Sequence, residues 1–240
     1  MKINIKQVLS EAVSFYKENF KSLKGISFVV LIFTAYMQVM AYVPTMLKEY
    51  PLWHLVFGLL EFVGMVASII ILPKLYLAMP ILINSLLGEK KITANEAYRQ
   101  TKGKYWTMIG CSMLICIGLI PCIALVFMKI PFAVSIGSVY VAFILSFYYT
   151  LFPMIAIEVR TNQYLRKSTQ MIKGNYKEVF LLTLITTTLL TAINGVLTYI
   201  FQGKTTELFI IGMAYAVVYF FVYPFASTVT VIVYRKLKRR

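Results

Sequence analysis

The sequence predicts an all-α integral membrane protein, a bundle of six transmembrane helices built from three parallel hairpin repeats. Interfacial amphipathic helices and two cytoplasmic termini complete the prediction. Of 240 residues, 60% are hydrophobic and 14% are charged, and the mean hydropathy is +0.77. A soluble domain is about half apolar and about a quarter charged. The apolar residues also fall in runs of membrane-spanning length, and most cations fall between the runs on one predicted side.

Six apolar runs are long enough for the predicted spans, since a helix needs about 20 apolar residues to cross a hydrocarbon core of about 30 Å. They cover residues 25–47, 53–72 (with an extension to 87), 106–128, 132–157, 179–201 and 208–234. Short links join the first span to the second, the third to the fourth and the fifth to the sixth. Each such pair is therefore predicted to form a tight hairpin, and the longer polar connections 88–105 and 158–178 fall on the other side.

The distribution of positive charge predicts the orientation. Twenty of the 24 lysines and arginines lie at the termini or in the two longer connections, whereas the opposite side carries only Lys48, Lys129 and Lys204. The positive-inside rule then places both termini in the cytoplasm. This topology, together with anionic lipid headgroups, explains the net charge of +15. We therefore expect the lipid bilayer as a partner and no nucleic acid.

Recurring patterns predict an internal repeat. A lysine lies three residues before an aromatic residue ahead of each outgoing span, at Lys17, Lys102 and Lys173. A proline follows a bulky residue late in each returning span, at Pro80, Pro153 and Pro224. Lys102 and Lys173 are 71 positions apart, as are Pro153 and Pro224. We predict units 1–88, 89–158 and 159–240, related by an axis along the membrane normal.

The segments before the outgoing spans are predicted to be helices lying in the membrane interface. The first carries an amphipathic stripe at helical spacing, and Thr93 with Glu96 forms a capping-box pattern at the start of the second. These helices either anchor and orient the spans or form a docking surface for a cytoplasmic partner. The candidate docking residues are Arg99, Lys102 and Lys173.

Two ionisable residues in the second predicted span are candidates for a functional site, because charge at membrane depth is costly. Glu61 and Lys74 lie about 20 Å apart along a helix, so they cannot pair directly. Pro73 and Pro80 bracket Lys74 and predict a broken or kinked helix around a substrate or proton site. Alternatively, the span ends near Leu72 and Lys74 snorkels to the interface. A small shift of the span would also lift Glu61 toward the outer headgroups.

The later returning spans add candidate hinge residues at Pro153 and Pro224. Glu158 closes the fourth span beside Arg160 and is interpreted as an interfacial carboxylate. The chain has no Asp, one His and none of the Gly-x-x-x-x-Gly-Lys-Ser/Thr, His-Glu-x-x-His, Cys-x-x-Cys or Gly-x-Ser-x-Gly motifs. We therefore expect no enzyme activity, metal site or cofactor.

Three segments resemble a known group of bacterial proteins. They are residues 8–20, residues 165–176 after the stretch from Phe152 to Glu158, and Tyr234-Arg-Lys-Leu near the end. They are similar to YciC-like inner-membrane proteins and to the membrane domain fused to some glycerophosphodiester phosphodiesterases. The resemblance covers most of the chain. It implies a six-span topology and carries over no phosphodiesterase activity and no catalytic residue.

Two functions are consistent with the sequence. The first is a permease-like subunit of a transport or export system in the bacterial cytoplasmic membrane, which exports a peptide or another amphipathic compound, or confers immunity to it, with a separate ATPase. The alternative is a non-transporting scaffold or accessory protein that organises partners or lipids. The sequence leaves open whether the chain forms a homo- or hetero-oligomer.

Overall fold

The computed structural model describes residues 2–46, 50–90, 92–127, 133–158, 163–201 and 207–239. Every regular element among the described residues is a helix, and no strand occurs among them, which confirms the all-α prediction. The helices are α1 (Ile5–Met46), α2 (Pro51–Leu87), α3 (Ala94–Arg99), α4 (Tyr105–Phe127), α5 (Ala133–Phe147), α6 (Leu151–Ile157), α7 (Tyr164–Ile172), α8 (Tyr176–Phe201) and α9 (Glu207–Lys238).

Four stretches of the described residues are long and apolar enough to cross a membrane, in agreement with the predicted membrane protein. They are Ile5–Met37, Leu55–Leu87, Val139–Ile157 and Ile210–Lys238. The other two predicted spans coincide with α4 and α8, which are helical as predicted; that they cross the membrane stays a prediction. Lys48, Lys129 and Lys204, which mark the predicted outer side, lie outside the described residues.

The six long helical segments pack in chain order around a ring. Helix α1 contacts α2, α2 contacts α4, α4 contacts α5, α5 contacts α8, α8 contacts α9, and α9 closes onto α1. The ends of the returning helices also meet one another, because α2 contacts both α6 and α9. The hydrophobic core lies where these ends meet, and its fully buried side chains include Leu77, Met79, Leu82, Met154, Ile155 and Ile232.

Polar contacts join the chain termini to the connecting segments at the same end of the bundle. Lys236 Nζ lies 2.7 Å from Glu11 Oε2, and the backbone N–H of Ile3 donates to Asn175 Oδ1 at 3.0 Å. We call this end, formed by residues 2–24, 92–104, 163–177 and 235–239, the basic end. Away from it, α2 exposes a run of large apolar side chains from Leu52 to Ile70.

The first predicted interfacial helix is not separate, which corrects the prediction. Helix α1 runs without a break from the amphipathic segment into the span, whereas α3 and α7 are distinct short helices. The cause is local. Gly103 and Gly174 have φ angles of 83° and 92°, a left-handed conformation that glycine adopts without steric cost. The corresponding residue after Lys17 is Glu18, so the helix continues.

The break predicted at Pro73 and Pro80 is also absent. Helix α2 continues through both prolines to Leu87. A kink at these prolines, and a membrane span that ends near Leu72 with Lys74 at the interface, stay predictions. The fourth predicted span is interrupted instead, at residues 148–150, between α5 and α6. A proline ring clashes with the carbonyl four residues earlier, and Pro153 places that clash at Tyr149. Thr150 then bonds Ser168 of α7 through their hydroxyls at 3.0 Å.

Candidate functional site: a groove between α2 and α4

A groove runs between α2 and α4, and its inner part is apolar. The cavity there measures about 680 Å³. Its lining is almost entirely hydrocarbon and sulfur, from Ile69, Leu72, Pro73, Tyr76, Met108, Ile109, Met113, Cys116, Ile117 and Ile120, with the hydroxyls of Ser68 and Ser112. Ser68 is only 8% exposed, and its Oγ has no hydrogen-bond partner among the described residues. A buried polar group without a partner is uncommon in a folded protein.

A second cavity, of about 980 Å³, lies toward the basic end between α2, α3 and the start of α4. We call it the cationic mouth, and its lining combines three cations with three aromatic side chains: Lys74, Arg99, Lys102, Tyr98, Tyr105 and Trp106. None of the described residues that line it carries a carboxylate. The structure therefore brings together Lys74, predicted as an intramembrane residue, with Arg99 and Lys102, predicted as docking residues.

Aromatic rings hold Lys74 in the cationic mouth. Its Nζ lies 5.9 Å from the ring centroid of Tyr98 and 5.8 Å from that of Tyr105, within the range of a cation–π interaction. Tyr105 in turn donates its hydroxyl to the carbonyl oxygen of Ile69 at 3.1 Å, which ties the start of α4 to α2. Lys74 is half-buried, whereas Arg99 and Lys102 are exposed.

Short-range sequence features shape the segment of α3 and the following turn that lines the cationic mouth. Thr93 and Glu96 form the predicted capping box at the start of α3. The backbone and hydroxyl hydrogen bonds from Thr93 hold the pKa of the Glu96 carboxyl below its ordinary value, with a smaller contribution from the positive charge of Arg99. Gly103 then turns the chain into α4.

Lys104 anchors this turn to the core rather than to the groove. Its ammonium group donates to the carbonyl oxygen of Ala156 at the end of α6. Burial lowers the pKa of Lys104, because leaving water disfavours the charged form. Lys104 therefore serves as a structural contact, and it does not line either part of the groove.

Lys173 lies apart from the other predicted docking residues. It lines a smaller cavity of about 400 Å³ at the turn between α7 and α8. The lining matches the cationic mouth at an offset of 71 positions, with Lys173 at the place of Lys102, Gly174 at that of Gly103 and Tyr176 at that of Tyr105. The charges do not match. Gln170 stands at the place of Arg99. Phe147 packs on Tyr176 at a distance of 4.9 Å between ring centroids, whereas Lys74 packs on the corresponding Tyr105.

Glu158 joins α6 to α9 at the basic end. Its Oε1 accepts a hydrogen bond from the hydroxyl of Tyr234 at 2.9 Å and lies 3.2 Å from Lys238 Nζ. Burial by itself raises the pKa of Glu158, but the hydrogen bonds from Tyr234 and Lys238 and the charges of Lys238 and Lys167 outweigh burial and hold the pKa below its ordinary value. This carboxylate is a structural link between helices.

The remaining predicted site residues lie outside the groove or contribute only apolar surface. Glu61 is half-buried, lies in the exposed part of α2 and has no hydrogen bond or ion pair with a described residue. Pro73 lines the apolar part of the groove. Pro80 and Pro153 are buried in α2 and α6, and Pro224 lies inside α9.

Sequence reasoning missed Ser68, Tyr98 and Trp106 as groove residues. The available signal was the spacing around the second predicted interfacial helix, where Tyr98 and Tyr105 flank Arg99 and Lys102. The local pattern does not show that Lys74 joins this segment, because Lys74 reaches it only through the packing of α2 against α3 and α4.

Comparisons with known protein families, curated proteins and solved structures find no match to this chain.

Proposed function

We propose that the chain is a six-span protein of the bacterial cytoplasmic membrane with both termini in the cytoplasm. The four apolar stretches and the two further long helices α4 and α8 support this number of spans. The convergence of both termini with the two longer connections supports their location on one side. The concentration of cations at that basic end supports its assignment to the cytoplasm.

Three hairpin units at residues 1–88, 89–158 and 159–240 are part of this proposal. Burial supports them, because a buried small residue precedes a buried apolar residue by 11 positions in each unit. The pairs are Ala12 with Leu23, Ala97 with Met108, and Ser168 with Val179, all at most 4% exposed. The closed ring of helices adds further support, since each outgoing helix packs on the returning helix of the preceding unit.

The proposed topology makes a labelling prediction. We expect Leu52→Cys, at the start of α2, to react with an impermeant maleimide added to intact cells, and Gln100→Cys, after α3, to react only after permeabilisation. Both positions are exposed, and Cys111, Cys116 and Cys122 are first replaced by serine. Labelling of both positions in lysed cells is the control. The reverse pattern in intact cells would contradict the orientation.

Within this membrane protein we propose a permease-like role in transport or export, with energy supplied by a separate ATPase. The groove between α2 and α4 carries this proposal, because an apolar slot beside a cationic mouth suits an amphipathic compound. The sequence has no phosphate-binding loop of its own. Exposed Arg99 and Lys102, together with Lys173 at a separate place on the basic end, supply positive charge for the docking of an ATPase.

One observation favours the second candidate, a non-transporting scaffold or accessory protein. The returning helices α2, α6 and α9 meet in a tightly packed core at the basic end, where Leu77, Met79 and Met154 are fully buried. Such a core leaves the groove as a binding surface for lipids or for a partner protein without requiring a path through the bundle.

Copurification separates the two candidates. We expect affinity purification from native membranes in mild detergent to yield a stoichiometric ATP-binding subunit by mass spectrometry. The variant R99E/K102E/K173E should lose this subunit, because the charge reversal repels an acidic docking face. The variant K6E/K17E/K21E, an equal change of charge at three exposed positions of the basic end, is the matched control and should retain it. Recovery of the protein alone, or only with a membrane enzyme, contradicts the permease and favours the scaffold.

A further inference from the structure

We infer that the groove between α2 and α4 binds an anionic phospholipid of the bilayer. Its phosphate group lies among Lys74, Arg99 and Lys102 in the cationic mouth, and one acyl chain lies along the apolar part. The inference rests on the proposed function, because it names the compound that the proposed groove binds. It applies to a permease and to a scaffold alike.

Charge complementarity identifies the headgroup. The mouth brings three cations together with no lining carboxylate, whereas Lys236 and Lys238 at the same end pair with Glu11 and Glu158. Glu96, the acid closest in sequence to Arg99, is engaged by Thr93 in the capping box. Basic pockets between transmembrane helices on the cytoplasmic side are typical binding sites for anionic headgroups.

The shape of the groove identifies an acyl chain. From Ser68 to Tyr76 the lining covers about 12 Å of α2, and from Met108 to Ile120 it covers about 18 Å of α4. These lengths match one leaflet, which is half of a hydrocarbon core of about 30 Å. A free anion would occupy only the mouth, so the adjoining apolar cavity of about 680 Å³ favours a lipid.

The position of Trp106 agrees with a lipid that enters from the side. This side chain lines the mouth and is 76% exposed. The chain has one other tryptophan, Trp53. Indole rings are enriched at the membrane–water interface, where the headgroups lie. Trp106 therefore marks the headgroup level beside the three cations and provides a natural spectroscopic probe of the site.

Quenching of Trp106 fluorescence by brominated lipid tests the inference directly. Trp53→Phe leaves Trp106 as the only tryptophan, and this protein is reconstituted in phosphatidylcholine vesicles. Dibrominated phosphatidylglycerol or dibrominated phosphatidylcholine is then added in increasing proportion. We expect the phosphatidylglycerol derivative to quench at a severalfold lower mole fraction, because it alone carries a net negative charge. Equal quenching by the two lipids would overturn the inference.

Variants assign the effect to the groove. Lys74→Gln, Arg99→Gln and Lys102→Gln should each reduce the preference for phosphatidylglycerol by about fivefold, the contribution of one cation near a membrane surface. The matched control Lys173→Gln changes the lysine at the equivalent place of the smaller cavity and should leave the preference unchanged. An equal loss in Lys173→Gln would show a general surface effect and would contradict a site in the groove.

Two further experiments complete the test. Ser68→Leu fills the apolar part and should lower quenching by the phosphatidylglycerol derivative while the cations stay in place. Inorganic phosphate at millimolar concentration should not restore the fluorescence, and if it does, the mouth is a site for free anions and the lipid inference fails. If the protein prefers phosphatidylglycerol but copurifies with no ATPase, only the permease proposal is contradicted. If it copurifies with an ATPase but shows no lipid preference, only the lipid inference is contradicted.

Discussion

Replacing Leu82 by alanine is expected to destabilise the protein by about 2–5 kcal/mol, the usual cost of truncating a buried leucine. Leu82 is fully buried in the core at the basic end, where α2 contacts both α6 and α9. The loss combines the packing of the removed methyl groups with the cavity that they leave, since the neighbouring helices relax only in part.

Leu59→Ala is the matched control, because it makes the same chemical change on the same helix at a side chain that is 59% exposed. Unfolding is followed by circular dichroism as sodium dodecyl sulfate is added to the purified protein in a mild detergent. We expect Leu59→Ala to shift the unfolding midpoint little, because detergent or lipid surrounds its side chain in either state. Equal shifts for the two variants would contradict a core located at the basic end.

Removing the Glu158 carboxylate is expected to destabilise the protein by about 1–3 kcal/mol at neutral pH, the cost of leaving a buried polar group without its partner. In Glu158→Ala the Tyr234 hydroxyl, on a residue that is 1% exposed, loses the carboxylate that accepts its hydrogen bond and keeps only the hydrogen bond that it accepts from Lys238. A double-mutant cycle with Tyr234→Phe measures this contact. If the two losses were simply additive, Glu158 and Tyr234 would not be coupled.

The contribution of Glu158 should also depend on pH. Its pKa in the folded protein lies below the ordinary value, so the folded state binds this proton less readily than the unfolded chain does. The stabilisation is therefore fully present above the unfolded pKa of about 4.3 and is lost as the pH falls through the folded pKa. The difference in unfolding free energy between wild type and Glu158→Ala should shrink below about pH 4. Glu89→Gln, at an exposed position, is the control.

Several elements were predictable from the sequence because their causes are local. The six apolar runs coincide with helical segments, since run length and hydropathy need no information about distant residues. The capping box of Thr93 and Glu96 is confirmed for the same reason. The glycines after Lys102 and Lys173 mark the turns that separate α3 from α4 and α7 from α8. A glutamate after Lys17 marks the place where α1 continues.

Tertiary structure alone decided which predicted features meet. Six prolines lie inside the predicted spans, yet among the described residues the helix is interrupted only ahead of Pro153, where Thr150 bonds Ser168 of α7. Lys74 looked isolated in the sequence because Arg99 and Lys102 follow it by 25 and 28 positions. Their shared cavity forms only when α2 packs against α3 and α4. Apolar run length determines that a helix forms, but long-range packing determines which polar side chains face one another.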